Sequence, residues 1–577
     1  MAVPEDSELS VRTLGVGALL GMVFAGAAVY AGTKTGIVDG GNIPAALLAF
    51  AILTAITRTR ARPHDGNIVQ TVSSSAAMMA ITSGLVGPIA AMALDGSAPA
   101  PAGVVVWGVA VGVLGSLMAI PLRAAFIVRG TLPFPSGAAT AEVLDSVYSG
   151  AAAAGGRIRM LALGAVLAAA IAFARSFAGW IPELTVIPLT VGAVPAAAIY
   201  MGIGWSPLLV GIGYLAGARV AIALVLGGVI AWFVIAPQVV AANIAAPDYV
   251  SLVTWLLWPG AGLMVGGTVG GIVSAWRGLR AGLREVRASH AAAQHAAHDA
   301  AHDKFRTTRG HVVAMVIAAL AIIVLGVLVF DVHPAVTMLG LGLSIVLCAA
   351  AARAMGETDN TPAGPLGGFA QLVVGAVAPG GIAAPLSAGG VVNGTLMHSA
   401  MLLQNWKTGV LVGSRPRPQL VAQLVGVVVG GVTCALAFEL IRGSYGLGND
   451  VMPAPAAQSW KATAELVQHG VSALPAGAPV AAAIAFVAGI ALALAGSTRW
   501  LAWVPSPVAL GMAFILPPYL SLTIAIGGCV RWLVERRHRA WAATHGIALV
   551  SGLIAGEALA GLAIAALIIA GVSVGGH

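Results

Sequence analysis

Apolar residues run through this chain in long blocks, and polar residues collect between them. A helix needs about 20 apolar residues to cross a bilayer. Blocks of that order cover 14–31, 42–57, 67–92, 101–122, 158–177, 184–201, 205–234 and 251–276. A second series covers 312–330, 334–352, one or two blocks within 366–412, then 420–441, 479–495, 506–534 and 541–570. The pattern predicts about 16 spans, in an N-terminal half (1–276), a polar linker (277–310) and a C-terminal half (311–577). The expected fold class is an all-α polytopic membrane protein with two related halves and some re-entrant or broken helices.

One segment does not suit an ordinary span. Residues 131–145 read TLPFPSGAATAEVLD, where Pro133 and Pro135 flank Phe134 and deny a helix its donors, while Ser136, Gly137 and the alanines allow close backbone approach. Broken backbone at membrane depth is tolerated only when protein encloses it or when it lines a wet cavity. The segment is therefore expected to dip in and return near 131–150, with the rest of the chain walling a cavity.

An internal repeat supports the division into halves. Laid without gaps, 205–234 and 505–534 match Ser206 with Ser506, Pro207 with Pro507, Gly211 with Gly511, Gly227 with Gly527, Gly228 with Gly528 and Trp232 with Trp532. Secondary transporters are commonly built from such repeats. Arg531, Arg536, Arg537 and Arg539 follow the second copy, whereas 237–247 after the first has no Lys or Arg. Either the repeat is inverted or the charge rule fails locally.

Composition sharpens the class. The chain is 59% hydrophobic and 9% charged with mean hydropathy +0.95, against about a quarter charged in soluble proteins. Its 75 glycines predict closely packed helices, since lipid supplies no hydrophobic drive between them. The net charge of +8 comes from arginines in short loops, which orients a membrane protein rather than binding nucleic acid. Arg58, Arg60 and Arg62, and the linker's arginines, place the N-terminus and residues 277–310 in the cytoplasm. The opening MAVPEDSELS lacks the basic start and cleavage site of a secretory signal, so the first block is expected to be retained. Cys348, Cys434 and Cys529 show no CxxC spacing and read as packing residues. GxxxxGK[ST] and HExxH are both missing, so neither ATP binding through a P-loop nor zinc-protease chemistry of the HExxH kind is expected.

Candidate pathway residues stand out against this background. Lys34 and Lys407 open the same Lys-Thr-Gly tripeptide, and the segment before Lys407 carries Asn393, His398, Gln404 and Asn405 among helix breakers. Asn67, Gln70, Thr71 and Ser74 form a comparable polar run in the first half; the two amides lie one turn apart and need partners or a substrate. Buried charge costs at least ~2.5 kcal/mol, so Arg123, Arg219, Glu142 and Glu557 should face the bundle interior. Glu142, just after the proline break, is expected to face a partly dry cavity and relay a coupling proton; the alternative is a simple pair with Arg157 or Arg159. Glu557 is the second candidate relay, with a structural ion pair as its alternative. In the linker, His295, His298 and His302 share one helical face, a weak metal candidate against the ordinary reading of a solvated alanine-rich helix. No resident metal or other cofactor is expected.

Longer motifs carry a resemblance. YAGTKTG (30–36), NIVQTVSSS (67–75), IPLRAAFIVRGTLPFPSGAATAEVL (120–144), NWKTGVLVGSRPRPQLVAQLVG (405–426) and VPSPVALGMAFILPPYLSLTIAIGGCVRW (504–532) resemble the oligopeptide transporter family in its bacterial, yellow-stripe-like branch. The match covers effectively the whole chain. Three positions depart from the family pattern: Ser136, Asn405-Trp406 and the His-rich linker. The resemblance implies a 16-span, proton-coupled symporter of the inner membrane that moves short peptides or metal chelates such as siderophore or nicotianamine complexes, with Tyr30 joining the pathway residues. A homo-oligomer is left open, and a channel or the membrane subunit of a larger transporter is the alternative.

Overall fold

The computed structural model describes residues 8–572, apart from 39, 58–61, 129–131, 150, 268, 272, 274–304, 306, 359–360, 362, 379–380, 470–474 and 497–503. In chain order the first half holds α1 (Val11–Thr35), α2 (Asn42–Thr57), α3 (Pro63–Thr82), α4 (Pro88–Leu94), α5 (Pro101–Arg123), α6 (Pro135–Ser149), α7 (Ala151–Ala172), α8 (Pro207–Ala216), α9 (Ala218–Ala241) and α10 (Tyr249–Gly271). The second holds α11 (Arg309–Phe330), α12 (Pro334–Thr358), α13 (Ala363–Val377), α14 (Ala383–Val412), α15 (Pro416–Tyr445), α16 (Pro455–His469), α17 (Ala478–Gly496), α18 (Pro507–Ile515), α19 (Pro518–Arg537) and α20 (Arg539–Ile569). The protein is an all-α polytopic membrane protein.

Among the described residues ten helices are long and apolar enough to cross a membrane by themselves, fewer than the 16 expected. The difference has a physical cause. α3 and α14 carry Asn, Gln, Ser and Thr and are almost wholly buried, so protein rather than lipid is their solvent and their hydropathy falls. Other blocks are interrupted. The expected span 67–92 divides at the turn 83–87, where Gly84 takes φ 71°, a conformation glycine adopts without Cβ strain. The expected span 184–201 is no helix: Leu184–Val186 pairs with Gly202–Gly204, and Thr190–Val191 pairs with Val194–Pro195, both antiparallel. Pro182, Pro188 and Pro195 remove helical donors there, and β-branched neighbours favour extended backbone.

Burial separates an inner from an outer layer. The most apolar windows of α1 and α5 are 67% buried, against 17% for those of α11 and α17. The last two, apolar all round, present leucine, isoleucine and valine outward as lipid-facing helices do.

The two repeat copies fold alike. Ser206 and Ser506 each accept a hydrogen bond from the backbone three residues on, capping α8 and α18, and each short helix then breaks, at Gly217 or at Leu516-Pro517, before a longer one. Contacts give their directions. Gly204 meets Tyr519, Gly213 meets Ile524 and Gly217 meets Arg531, so α8 runs parallel to α19. Arg219 donates to the Val504 carbonyl and Gly227 meets Leu510 and Ala513, so α9 runs parallel to α18. Gly217 and Ala221 also lie against Arg531 and Gly528, so the end where α8 finishes is the end where α18 begins. The copies therefore point in opposite directions. Inversion, not failure of the charge rule, explains why arginines follow only one copy: Arg219, Arg531, Arg536 and Arg539 gather at one end, and the Lys/Arg-free 237–247 lies towards the other.

A central cavity and a separate buried charge cluster

The cavity lies where the halves meet. It encloses about 300 Å³, and its wall takes Gly40, Asn42 and Ser136 from the first half and Gln404 and Ser551 from the second. Methionines from both sides complete it: Met78 on α3, Met355 on α12, Met397 and Met401 on α14. A flexible thioether fills irregular space and reshapes easily, so this wall suits cargo of varied outline. No Lys, Arg, Asp, Glu or His is among the lining residues.

Behind the wall runs a buried amide network. Gln70 Nε2 donates to Asn67 Oδ1 (3.0 Å), Thr71 Oγ1 (3.2 Å) and Asn405 Oδ1 (3.5 Å). Asn405 Nδ2 donates to Ser74 Oγ (3.3 Å) and Gln423 Oε1 (3.2 Å), and Gln419 Nε2 donates to the Asn405 carbonyl (2.7 Å). His398, fully buried, shares hydrogen bonds with Thr82 Oγ1 (2.7 Å) and Ser75 Oγ (3.4 Å). These contacts tie α3 to α14 and α15. In and beside this network, buried polar atoms without a protein partner include Asn67 Nδ2, Gln70 Oε1, Gln423 Nε2, Asn42 Oδ1 and Gln404 Oε1. Leaving such a group unsatisfied costs about 1–3 kcal/mol. Asn42 and Gln404 belong to the cavity wall, so a small side-chain movement would bring these buried acceptors to cargo or water.

The proline segment abuts this site. Phe134 is buried at φ 44° and its N–H donates to the Gly356 carbonyl (2.9 Å), while Pro133 and Pro135 stay exposed. α14 holds the bend: Lys407 Nζ donates to the Leu132 carbonyl (3.1 Å) and Thr408 Oγ1 to the Gly137 carbonyl (2.8 Å). The bend starts α6 with Ser136 at the cavity wall. With 15 residues, α6 is about 22 Å long, short of the ~30 Å hydrocarbon core.

Some candidates fall elsewhere. Glu142 is exposed, because Ala141 and Leu144 take the buried face of α6; the expectation that it faces a dry cavity is corrected. Asn393 lies 11 residues before Gln404 on α14, about 16 Å along the axis, and packs against Gly367 rather than lining the cavity. Arg219 is half-buried, with Nε on the Val504 carbonyl (2.9 Å). Arg123 lies over the rings of Trp406 (5.6 Å) and Phe305 (5.8 Å). His295, His298 and His302 lie outside the described residues.

Tyr30, Lys34 and Glu557 form a different cluster. Lys34 is 1% exposed, with Nζ 3.7 Å from Glu183 Oε1 and 5.9 Å from the centre of the Tyr30 ring. Arg175 Nη2 pairs with Glu557 Oε1 at 3.0 Å, both side chains buried. Ser206 Oγ donates to the same carboxylate oxygen (2.8 Å), and the Leu208 N–H donates to the other (2.8 Å). Glu557 thus sits on the N-terminus of α8. At the other end Arg531 Nη1 donates to the Leu215 (3.0 Å) and Tyr214 (3.3 Å) carbonyls. Acid at the amino end and base at the carboxyl end both complement the helix dipole, so two charges of the second half hold this short helix. Sequence reasoning missed Arg175, although an arginine deep in the apolar block 158–177, far from Arg159 at its start, was a visible signal. It also missed the methionines and Asn42, for which the sequence carried none.

A many-helix membrane bundle with a cavity walled by both halves is the architecture of a carrier. The family model described as OPT oligopeptide transporter protein matches residues 8–568, and the chain belongs to that family. It is similar to YSL8 of Arabidopsis thaliana, named a probable metal-nicotianamine transporter, with 26% identity over 96% of this chain and 85% of that protein. YSL10 of Oryza sativa, with the same description, is 26% identical over 96% of this chain and 89% of its own length. A Haemophilus influenzae protein named for oligopeptide transport is 24% identical over 95% of this chain and 94% of its own. The relatives are transporters, and the chain is not an enzyme.

Proposed function

We propose that this chain is a secondary active, proton-coupled symporter that imports short peptides or metal chelates of the siderophore or nicotianamine kind across the cytoplasmic membrane, with its N-terminus and the 277–310 linker inside. The observation that carries the reading is the cavity of about 300 Å³ at the junction of the halves, with the acceptor oxygens of Asn42 and Gln404 lacking protein partners at its wall. Repeat-built transporters bind their cargo at such a junction, and two opposed copies can rock about it to give alternating access. The relatives' names supply the two substrate classes.

For the coupling proton, Glu557 replaces Glu142. It is a buried carboxylate bound at once to Arg175 and to the N-terminus of α8, and α20, which bears it, also puts Ser551 and Ile547 at the cavity. Protonating Glu557 would remove the charge that holds Arg175 and α8 together, which links proton binding to movement of a cavity-wall helix. The test is uptake into proteoliposomes with an imposed proton gradient, offering a peptide library against ferric and nickel chelates. Accumulation should require the gradient, and Glu557→Gln should abolish it while keeping gradient-independent exchange. Accumulation unaffected by collapsing the gradient would refute symport; accumulation by a folded Glu557→Gln protein would remove Glu557 from the coupling path.

A further inference from the structure

A second pocket opens at the arginine-rich end. It encloses about 760 Å³ between the end of α19 and the start of α20, and Arg531, Trp532, Glu535, Arg536 and Arg539 line it. Leu215 and Ile547 belong to both this pocket and the central cavity, so it lies at the cavity's mouth.

We propose that this pocket binds the phosphate-bearing headgroup of an anionic phospholipid. Its charge is unbalanced. Glu535, the one carboxylate lining it, is engaged by Arg531 at 2.8 Å, and Arg531 is further committed to the α8 carbonyls. Among the described residues Arg536 and Arg539 have no carboxylate partner, which leaves two guanidinium groups to meet an anion, and such groups bind phosphate oxygens through paired N–H donors. Arg536 lies 5.2 Å over the Trp532 ring, which orients the guanidinium.

The surroundings select a lipid over a soluble anion. Trp532, Leu533, Trp541 and Ile547 leave 52%, 42%, 40% and 42% of their surface exposed beside the arginines. Aromatic residues next to arginines mark headgroup level, so a cationic pocket with an apolar flank fits an amphiphile whose chains stay in the bilayer. Basic pockets between membrane helices take headgroups in this way. Bound there, the lipid lies against Arg531 and Leu215, at the carboxyl end of α8, and its occupancy bears on the mouth of the cavity.

The experiment uses the full chain, delipidated in detergent, with binding read by native mass spectrometry and by thermal unfolding. Phosphatidylglycerol should be retained and should raise the unfolding midpoint, while phosphatidylcholine and inorganic phosphate should do neither. Arg536→Gln with Arg539→Gln should unfold at the wild-type temperature without lipid and bind phosphatidylglycerol roughly 30-fold more weakly, from the contribution expected of two arginines near an anionic surface. Equal retention of phosphatidylglycerol and phosphatidylcholine, or full retention by the double variant, overturns the proposal. A midpoint shift by inorganic phosphate as large as by the lipid replaces it with a soluble-anion site. If the double variant does not fold, Arg539→Gln alone decides by the same retention measurement.

Discussion

Asn405 and Gln404 are neighbours in sequence and differ in everything that matters to their roles. Asn405 points into the amide network, where its side chain bonds Gln70, Ser74 and Gln423. Gln404 belongs to the cavity wall and its Oε1 has no protein partner. Replacing Asn405 by Leu strands Gln423 Oε1 in a dry interior, a loss of about 1–3 kcal/mol for one unsatisfied group, while Gln70 Nε2 keeps Asn67 and Thr71. Gln404→Leu removes an acceptor that the protein leaves unused, so stability should change by less than about 1 kcal/mol while uptake falls. Thermal unfolding in detergent, set beside uptake, separates the two. An Asn405→Leu protein as stable as wild type would show that the network does not hold α3 to α14.

At the scale of the helix, glycine decides how closely the inverted repeats approach. Gly213 on α8 faces the Ile524 carbonyl so closely that a Cβ there would overlap it, and Gly527 on α19 faces the Val210 carbonyl in the same way. Neither neighbour is a flexible side-chain tip, so the helices themselves would have to separate. Gly213→Ala should therefore destabilise by about 3 kcal/mol or more, the upper range of overpacking. Gly228, one residue beyond a tightly packed glycine, has nothing within 4 Å of a built Cβ. There alanine should be neutral or stabilise by up to about 1 kcal/mol through helix propensity. Comparable unfolding temperatures for the two variants would mean that α8 and α19 do not need their present separation.

At the scale of the whole molecule, both halves wall the central cavity and leave the amide network outside it. The candidate pathway residues Asn67, Gln70, Asn393, Gln404 and Lys407 are thus divided: Gln404 lines the cavity, Lys407 secures its rim through Leu132, Asn67 and Gln70 lie behind the wall, and Asn393 sits farther along α14. Cysteines at Gln404 and Ser551 should react with a small polar thiol reagent and be protected by cargo, whereas cysteines at Asn67 and Asn393 should stay inert. The native Cys348 and Cys434 are buried and only Cys529 is exposed, so a Cys529→Ser background keeps the assay clean. Equal labelling at all four positions would remove the distinction between wall and network.

The sequence by itself determined the class, the broken segments and the polar helices. Hydropathy is a local sum, prolines and glycines act on their own backbone, and an amide in an apolar block must find a partner wherever the chain goes. Asn67, Gln70, Ser74, Lys407 and the 133–135 break were legible on those grounds, and the matched pairs 206/506 and 227/527 revealed a repeat. Direction was not legible, because a matched pair reads the same whether its copies run together or opposed; the contacts of Gly213 and Gly227 with opposite copies decided it. Nor was the facing of Glu142 or the partner of Glu557, since which side of a helix is buried, and against what, depends on neighbours hundreds of residues away. Arg175 and Glu557 are 382 positions apart, and the cavity's methionines come from three helices. Only the tertiary structure could bring them together, because burial and pairing are properties of packed surfaces and the sequence records them one residue at a time.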